Sequence, residues 1–594
     1  MKYHIKHILL VLVIVIYTNN ITVSAQENEL TFCEKSGFLE TPRYETTINY
    51  CKSLAEKNNQ ILHYTTFGFS EQKRELPLLI ANKSGEFDLK KIQSENKSII
   101  LIIGCIHAGE PEGKDAGMML MRDIAEKSDK YKLLDSATIL FIPILNADGH
   151  EFFRQYSRIN QSEPKECGWR TNARNLNLNR DFLKAETGEI KAFLNLINTC
   201  QPDFAIDVHS SDGADYQYQI SYSLETSGNM PKEITDWQKD IYLPRLEKAM
   251  NHKGWLMHPY VSFREWHDPR SGLYSSAAQP KLSHGYLAIR NIPTLLIETH
   301  CLKDYKTRVQ SAYDMIVESI KIVSENKTIL ERIYDKQKNI LEKGDLISKY
   351  YPLKFKLAKD SVIDDFLGVE YDVVKSDISG GDWFVYHKDK PVLFKIPYWN
   401  ISVVSDSVSM PTYYIIPSQW TAVIEKLDFH GIKYTRSKGE TSVKVESYKI
   451  TNPVWNAEPY EDRNVMTYKT NPINETRIYP ANSVIIDMRQ SKAYVIMHLL
   501  EPTAPDNLLQ WGFFNSIFEQ KEYAESYVME KMVRDMLAKD PALKEEFENK
   551  KKTDSTFVGQ ENILNWFYMK TLYWDYRIGV YPVGRIMELF ECGK

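Results

Sequence analysis

In SIILIIGCIHAGEPEGKDAG, residues 98–117, an apolar run passes into His107 and Glu110, two good metal ligands three residues apart. With 14 histidines in 594 residues, one such spacing is expected roughly by chance, so the pair needs partners. They come from elsewhere in the chain. A run beginning at Pro202 leads into Asp207-Val208-His209, and PTLLIETH carries Glu298 at the end of another. Two histidines and one carboxylate form a zinc set that leaves a fourth position open. Zinc lowers the pKa of a bound water to about 7 and polarises carbonyls, which offers hydrolysis at neutral pH. Glu298 is then placed to take a proton from water and return it to a leaving amine. GWRTNARNLNLNRDF, residues 168–182, adds Arg170, Arg174, Asn179 and Arg180. Forked guanidinium donors suit a carboxylate or a developing oxyanion.

These residues must be positioned by strands. Short runs rich in Ile, Val and Leu at 98–106, 137–145, 202–208 and 293–297 alternate with amphipathic segments at 111–127, 186–200 and 233–250, the last interrupted near Pro244. A further helical pattern runs from Asp304 to about Lys343. The alternation predicts an α/β domain with a mixed, twisted sheet flanked by helices. In such sheets, ligands collect at the carboxyl ends of strands, which is where the ionisable groups fall. From about 350 to 480, polar residues alternate with β-branched or aromatic ones and are cut by Pro and Gly, as in an antiparallel accessory module. From about 485 the pattern turns partly helical.

The motifs HAGE (107–110), NADG (146–149), RTNARNLNLNRDF (170–182), DVHS (207–210) and LLIETH (295–300) follow one another in the order of the zinc metallocarboxypeptidases. Over roughly residues 45–330 the chain resembles that carboxypeptidase A-like family, whose type member is itself a two-histidine, one-glutamate zinc enzyme. The resemblance implies that His107, Glu110 and His209 hold one Zn2+, that Glu298 is general base and acid, and that Arg170 steadies the oxyanion. It implies that Asn179 and Arg180 bind the C-terminal carboxylate of a peptide or protein substrate. Asn177 stands where the family has an aspartate that orients a zinc histidine; an amide supports the imidazole less strongly. A catalytic-loop tyrosine is expected, with Tyr274 and Tyr286 as the choices. PTYYIIPSQW (411–420), LLEPTAPDNLLQWGFFN (499–515) and EQKEYAESYV (519–528) resemble the tails of large exported bacterial members.

The first 25 residues read as a secretory signal: a short basic region, an apolar run from Ile8 to Tyr17, and Val23-Ser24-Ala25 before Gln26. The expected organisation is a signal peptide (1–25), a catalytic domain (26–345), a β-rich module (346–484) and a partly helical region (485–594). Beyond the leader no apolar run is long enough to span a bilayer, so an exported, periplasmic or extracellular protein is expected. The formal charge of −5 gives no sign of a nucleic-acid partner. Seven scattered cysteines without a C-x-x-C pair argue against a disulfide framework or a cysteine zinc site. The pattern leaves two other readings open, an amidase or deacylase of cell-wall peptides and a peptide-binding protein without turnover. It does not reveal the oligomeric state.

Overall fold

The computed structural model describes residues 30–228 and 230–589, so the proposed signal peptide lies outside the described residues. The first nine strands are β1 (Leu62–Phe69), β2 (Glu75–Ala81), β3 (Ser98–Ile103), β4 (Ala137–Ile142), β5 (Phe204–Ser211), β6 (Ile220–Ser223), β7 (Met257–Pro259), β8 (Leu273–Tyr274) and β9 (Thr294–His300). All but β8 join one sheet in the order β1-β2-β4-β3-β5-β9-β6-β7. The central strands β4, β3, β5 and β9 are parallel neighbours, and β1, β2 and β6 pair antiparallel at the flanks. Every residue of β3 and of β4 is buried. A strand covered on both faces reads as a continuous apolar run, which is why these were visible in the sequence.

One face of the sheet packs against helices Tyr44–Lys57, Glu112–Ala125, Leu243–His252 and Tyr305–Glu325. The other packs against Gly188–Cys200 and Ser283–Ile289, and then against the second half of the chain. Tyr414, Val423 and Ile496 share a single buried cluster with Leu101, Ile103 and Leu140 of the sheet.

The second half contains β10 (Tyr350–Leu357), β11 (Val362–Lys375), β12 (Asp382–Trp399), β13 (Ser402–Ser409), β14 (Tyr413–Ile416), β15 (Thr435–Arg436), β16 (Thr441–Trp455), β17 (Met466–Tyr479), β18 (Val484–Asp487) and β19 (Gly584–Ile586). Six of them form a sheet in the order β15-β18-β14-β19-β16-β17. The long ribbon β11–β12 adds β8 at its edge, Tyr398 opposite Leu273 and Trp399 opposite Tyr274. Helices Ser526–Lys539, Pro541–Thr553 and Gln560–Tyr568 pack around Phe567 as a separate small cluster.

Several boundaries differ from the sequence reading. β3 stops at Ile103, so His107 sits in the turn beyond the strand. The pattern from Asp304 to Lys343 is two helices, Tyr305–Glu325 and Lys327–Lys343, because Asn326 leaves helical geometry at φ −106°, ψ 10°. The interruption expected at Pro244 falls earlier, in a π-helical turn at Gln238–Tyr242; Pro244 lies in the first turn of the next helix, where its missing N–H costs nothing. Cys33, Cys51, Cys105, Cys167, Cys200 and Cys301 are buried free thiols. No helix among the described residues is long and apolar enough to cross a membrane.

Candidate metal centre and active site

Asp207 and His209 are two apart on β5, so both side chains leave the same face. His209 is the register partner of Glu298 on β9, which brings two sequence-distant groups side by side. His107 and Glu110 occupy the turn between β3 and the helix Glu112–Ala125.

His107, Glu110 and His209 each offer one ligand atom, and these atoms lie within 4.8 Å of one another. The two Nδ1 atoms are 3.1 Å apart, and the Glu110 carboxylate is 2.9 Å from His209 Nδ1 and 3.2 Å from His107 Nδ1. The far nitrogens are already engaged, His107 Nε2 at 3.0 Å from Asn177 Oδ1 and His209 Nε2 at 3.0 Å from Asp207 Oδ2. Ser283 Oγ donates to the same Asp207 oxygen. Holding one ring nitrogen this way fixes the tautomer and leaves the other free to ligate. Two imidazole nitrogens and a carboxylate oxygen turned toward one buried point fit a zinc ion in both donor type and number.

The centre opens into a cavity of about 790 Å³ whose lining includes His107, Glu110, Arg158, Arg170, Asn179, Arg180, His209, Tyr274 and Glu298. The expected ligands His107, Glu110 and His209 therefore meet Glu298, Arg170, Asn179 and Arg180 in one cavity. Arg170 Nη1 lies 3.2 Å from Glu110 Oε1. Asn179 Oδ1 accepts from the Ser283 backbone N–H at 2.8 Å, which leaves its amide N–H groups for the cavity. Arg174 turns away to Asp462. Burial separates the two tyrosines. Tyr286 is fully buried with its hydroxyl on His430, whereas Tyr274 is 38% exposed on the cavity wall.

The model of the zinc carboxypeptidase family matches residues 47–223. Residues 47–223 are thus similar to that family. Carboxypeptidase 2 of Trichophyton rubrum is 22% identical over 488 residues, which cover 79% of this chain and 84% of that protein. Its counterpart in Trichophyton equinum is 21% identical over the same coverage. Both are fungal, so the bacterial part of the sequence expectation gains no support from these relatives. Among solved structures, a metallo-carboxypeptidase from Burkholderia cenocepacia aligns over 48% of this chain and 69% of its own, at 16% identity and a TM-score of 0.35. Carboxypeptidase A from Helicoverpa armigera aligns over 50% and 79%, at 15% identity and a TM-score of 0.36.

Electrostatics act differently on each group of the site. Burial lowers the His107 pKa to about 4, which keeps the imidazole neutral and ready to ligate. For Glu110, burial acts upward, but His107 and Arg158 outweigh it and hold the carboxyl well below its usual range. Burial pulls His209 down, but Asp207 and Glu110 carry it well above the ordinary histidine value. Glu298 is pushed up to about 8, by burial first and then by Glu110 and Asp207, against the opposing pull of His209. A carboxyl poised near neutrality suits proton transfer.

Sequence reasoning missed Arg158, whose Nη1 donates to Glu110 Oε1 at 2.8 Å and whose Nη2 reaches Cys301 Sγ at 3.6 Å. It lies in a loop with no periodic pattern. Its place is made by Gly109, since a Cβ there would stand 2.6 Å from Arg158 Cδ.

Proposed function

We propose that this chain is a zinc-dependent exopeptidase that hydrolyses the C-terminal peptide bond of peptides or proteins. The observation that carries the reading is the convergence of the His107, Glu110 and His209 ligand atoms within 4.8 Å, in a cavity also lined by Glu298, Arg170 and Arg180. His107, Glu110 and His209 hold one zinc ion per chain. Bound there, zinc supplies Lewis acidity toward a carbonyl and toward water. Glu298 takes a proton from water as the base and returns it to the leaving amine as the acid. Arg170 faces the developing oxyanion, and Tyr274 lines the same cavity. Asn179 and Arg180 receive the free terminal carboxylate, which restricts cleavage to the end of a chain. The similarity to the Trichophyton carboxypeptidases supports this choice. Retention of Glu298 speaks against a binding protein without turnover.

The catalytic unit spans 26–345, followed by the β-rich module (346–484) and the C-terminal region (485–594), with residues 1–25 serving as an export signal for a periplasmic or extracellular enzyme. Purified protein should contain one zinc per chain and release single residues from the C-termini of a mixed peptide pool. Chelation should abolish release and added zinc restore it. Glu298→Gln should lower the rate about 10³-fold while zinc content stays unchanged. Release of internal fragments, or activity on cell-wall peptides alone, would overturn the exopeptidase reading.

A further inference from the structure

The connection between β16 and β17 reaches the site from the other half of the chain. Beyond the last ladder pair, Trp455 opposite Met466, the ribbon ends in a tight turn. Tyr460 and Arg463 close it by exchanging backbone N–H···O bonds of 2.8 and 3.1 Å. The two residues inside the turn, Glu461 and Asp462, both have left-handed φ, 51° and 64°. Turns of this hand prefer Asn-Gly and its relatives, because a side chain in left-handed geometry is costly. Strain held at particular residues points to what their side chains do.

Each reaches the carboxypeptidase domain. Glu461 accepts the backbone N–H of Asn177 at 2.8 Å, and Asp462 accepts from Arg174 at 2.8 Å. The Tyr460 hydroxyl accepts Arg180 Nε at 3.1 Å, and the Tyr460 ring stacks on buried Trp511 with centroids 6.0 Å apart. Asn177 is the residue whose side chain meets His107 Nε2.

We propose that this ribbon tip is a working part of the active site. Tyr460 is a positioning residue that sets the Arg180 guanidinium for the terminal carboxylate of a peptide. Glu461 is a positioning residue that holds the Asn177 segment, and with it the His107 ring, in place for zinc. The role of Tyr460 rests on the exopeptidase reading; that of Glu461 rests only on the metal centre.

Two variants test this in the full-length protein. Glu461→Asn with Asp462→Gly gives the turn the residues it prefers, so its melting temperature should equal or exceed that of the wild type. Its zinc dissociation constant should nevertheless rise about tenfold. Tyr460→Phe keeps the stacked ring and removes only the hydroxyl. KM for a blocked dipeptide with a free carboxylate should rise about fivefold to tenfold, with kcat within about twofold of wild type. Wild-type zinc affinity and wild-type KM in these variants would overturn the proposal, as would changes that appear only together with a lowered melting temperature. If the wild type releases no C-terminal residue at all, the exopeptidase reading fails, and the zinc affinity of the double variant alone decides the role of the ribbon tip.

Discussion

The Glu110 carboxylate meets His107, His209, Arg158, Arg170 and the Ser210 backbone N–H. With Arg158 and Arg170 on Oε1, the other oxygen is left on the side of the two imidazoles. Gly109→Ala tests the Arg158 contact indirectly. The new methyl would collide with Arg158 Cδ and, at 2.9 Å, with the Gly168 carbonyl, so the guanidinium must withdraw. Zinc should then bind about 10-fold more weakly, as measured by chelator competition. The four groups named first from the sequence were legible because each sits within a few residues of an apolar run ending at the same sheet edge. Asp207 stood in the same motif, but its part as the partner of His209 Nε2 appeared only in the folded chain. Arg158 and Tyr460 were not legible, since a loop's return to a distant site leaves no local pattern. Tyr274 and Tyr286 could be separated only by burial, which depends on His430 arriving from the second half of the chain.

The helix Glu112–Ala125 follows the ligand turn directly and seats it through two glycines. A Cβ on Gly113 would come 2.6 Å from Val208 Cβ, and one on Gly117 would come 2.2 Å from the Phe141 ring. Gly117→Ala should therefore cost about 1–3 kcal/mol of stability, despite alanine's better helix propensity, measured by denaturant unfolding. A second helix carries a pH signature. Glu189, in the first turn of Gly188–Cys200, is fully buried with Oε1 unpartnered, and its pKa is raised to about 7, chiefly by burial. A folded-state pKa above the unfolded value means that stability is intact below about pH 4.5 and is lost as pH climbs through 7. Glu189→Gln should abolish this dependence and gain on the order of 2 kcal/mol over wild type at pH 8 relative to pH 4, as seen in urea midpoints. Helix positions such as these were visible as amphipathic periods. Their exact ends were not, because Asn326 and the π turn at Gln238–Tyr242 break patterns that remain apolar on one face.

Across the whole molecule, the second half is structural to the first. Its side chains complete the core over one face of the eight-stranded sheet, β12 holds the strand that carries Tyr274, and the β16–β17 ribbon touches Asn177 and Arg180. A fragment ending at residue 345 should unfold at a lower temperature than the full chain, because the outer faces of Gly188–Cys200 and Ser283–Ile289 would lose the apolar cover of the second half. The sequence divides cleanly by pattern because strand alternation and helix periodicity are local. The shared core is not local, and no stretch of sequence announces it.

Strand β19 lies between β14 and β16, although it comes from residues 584–586. Its arrival knits together a sheet whose other members all end at or before Asp487. Trimming the chain before β19 would remove that clasp and loosen the sheet from which the β16–β17 ribbon extends to Asn177 and Arg180.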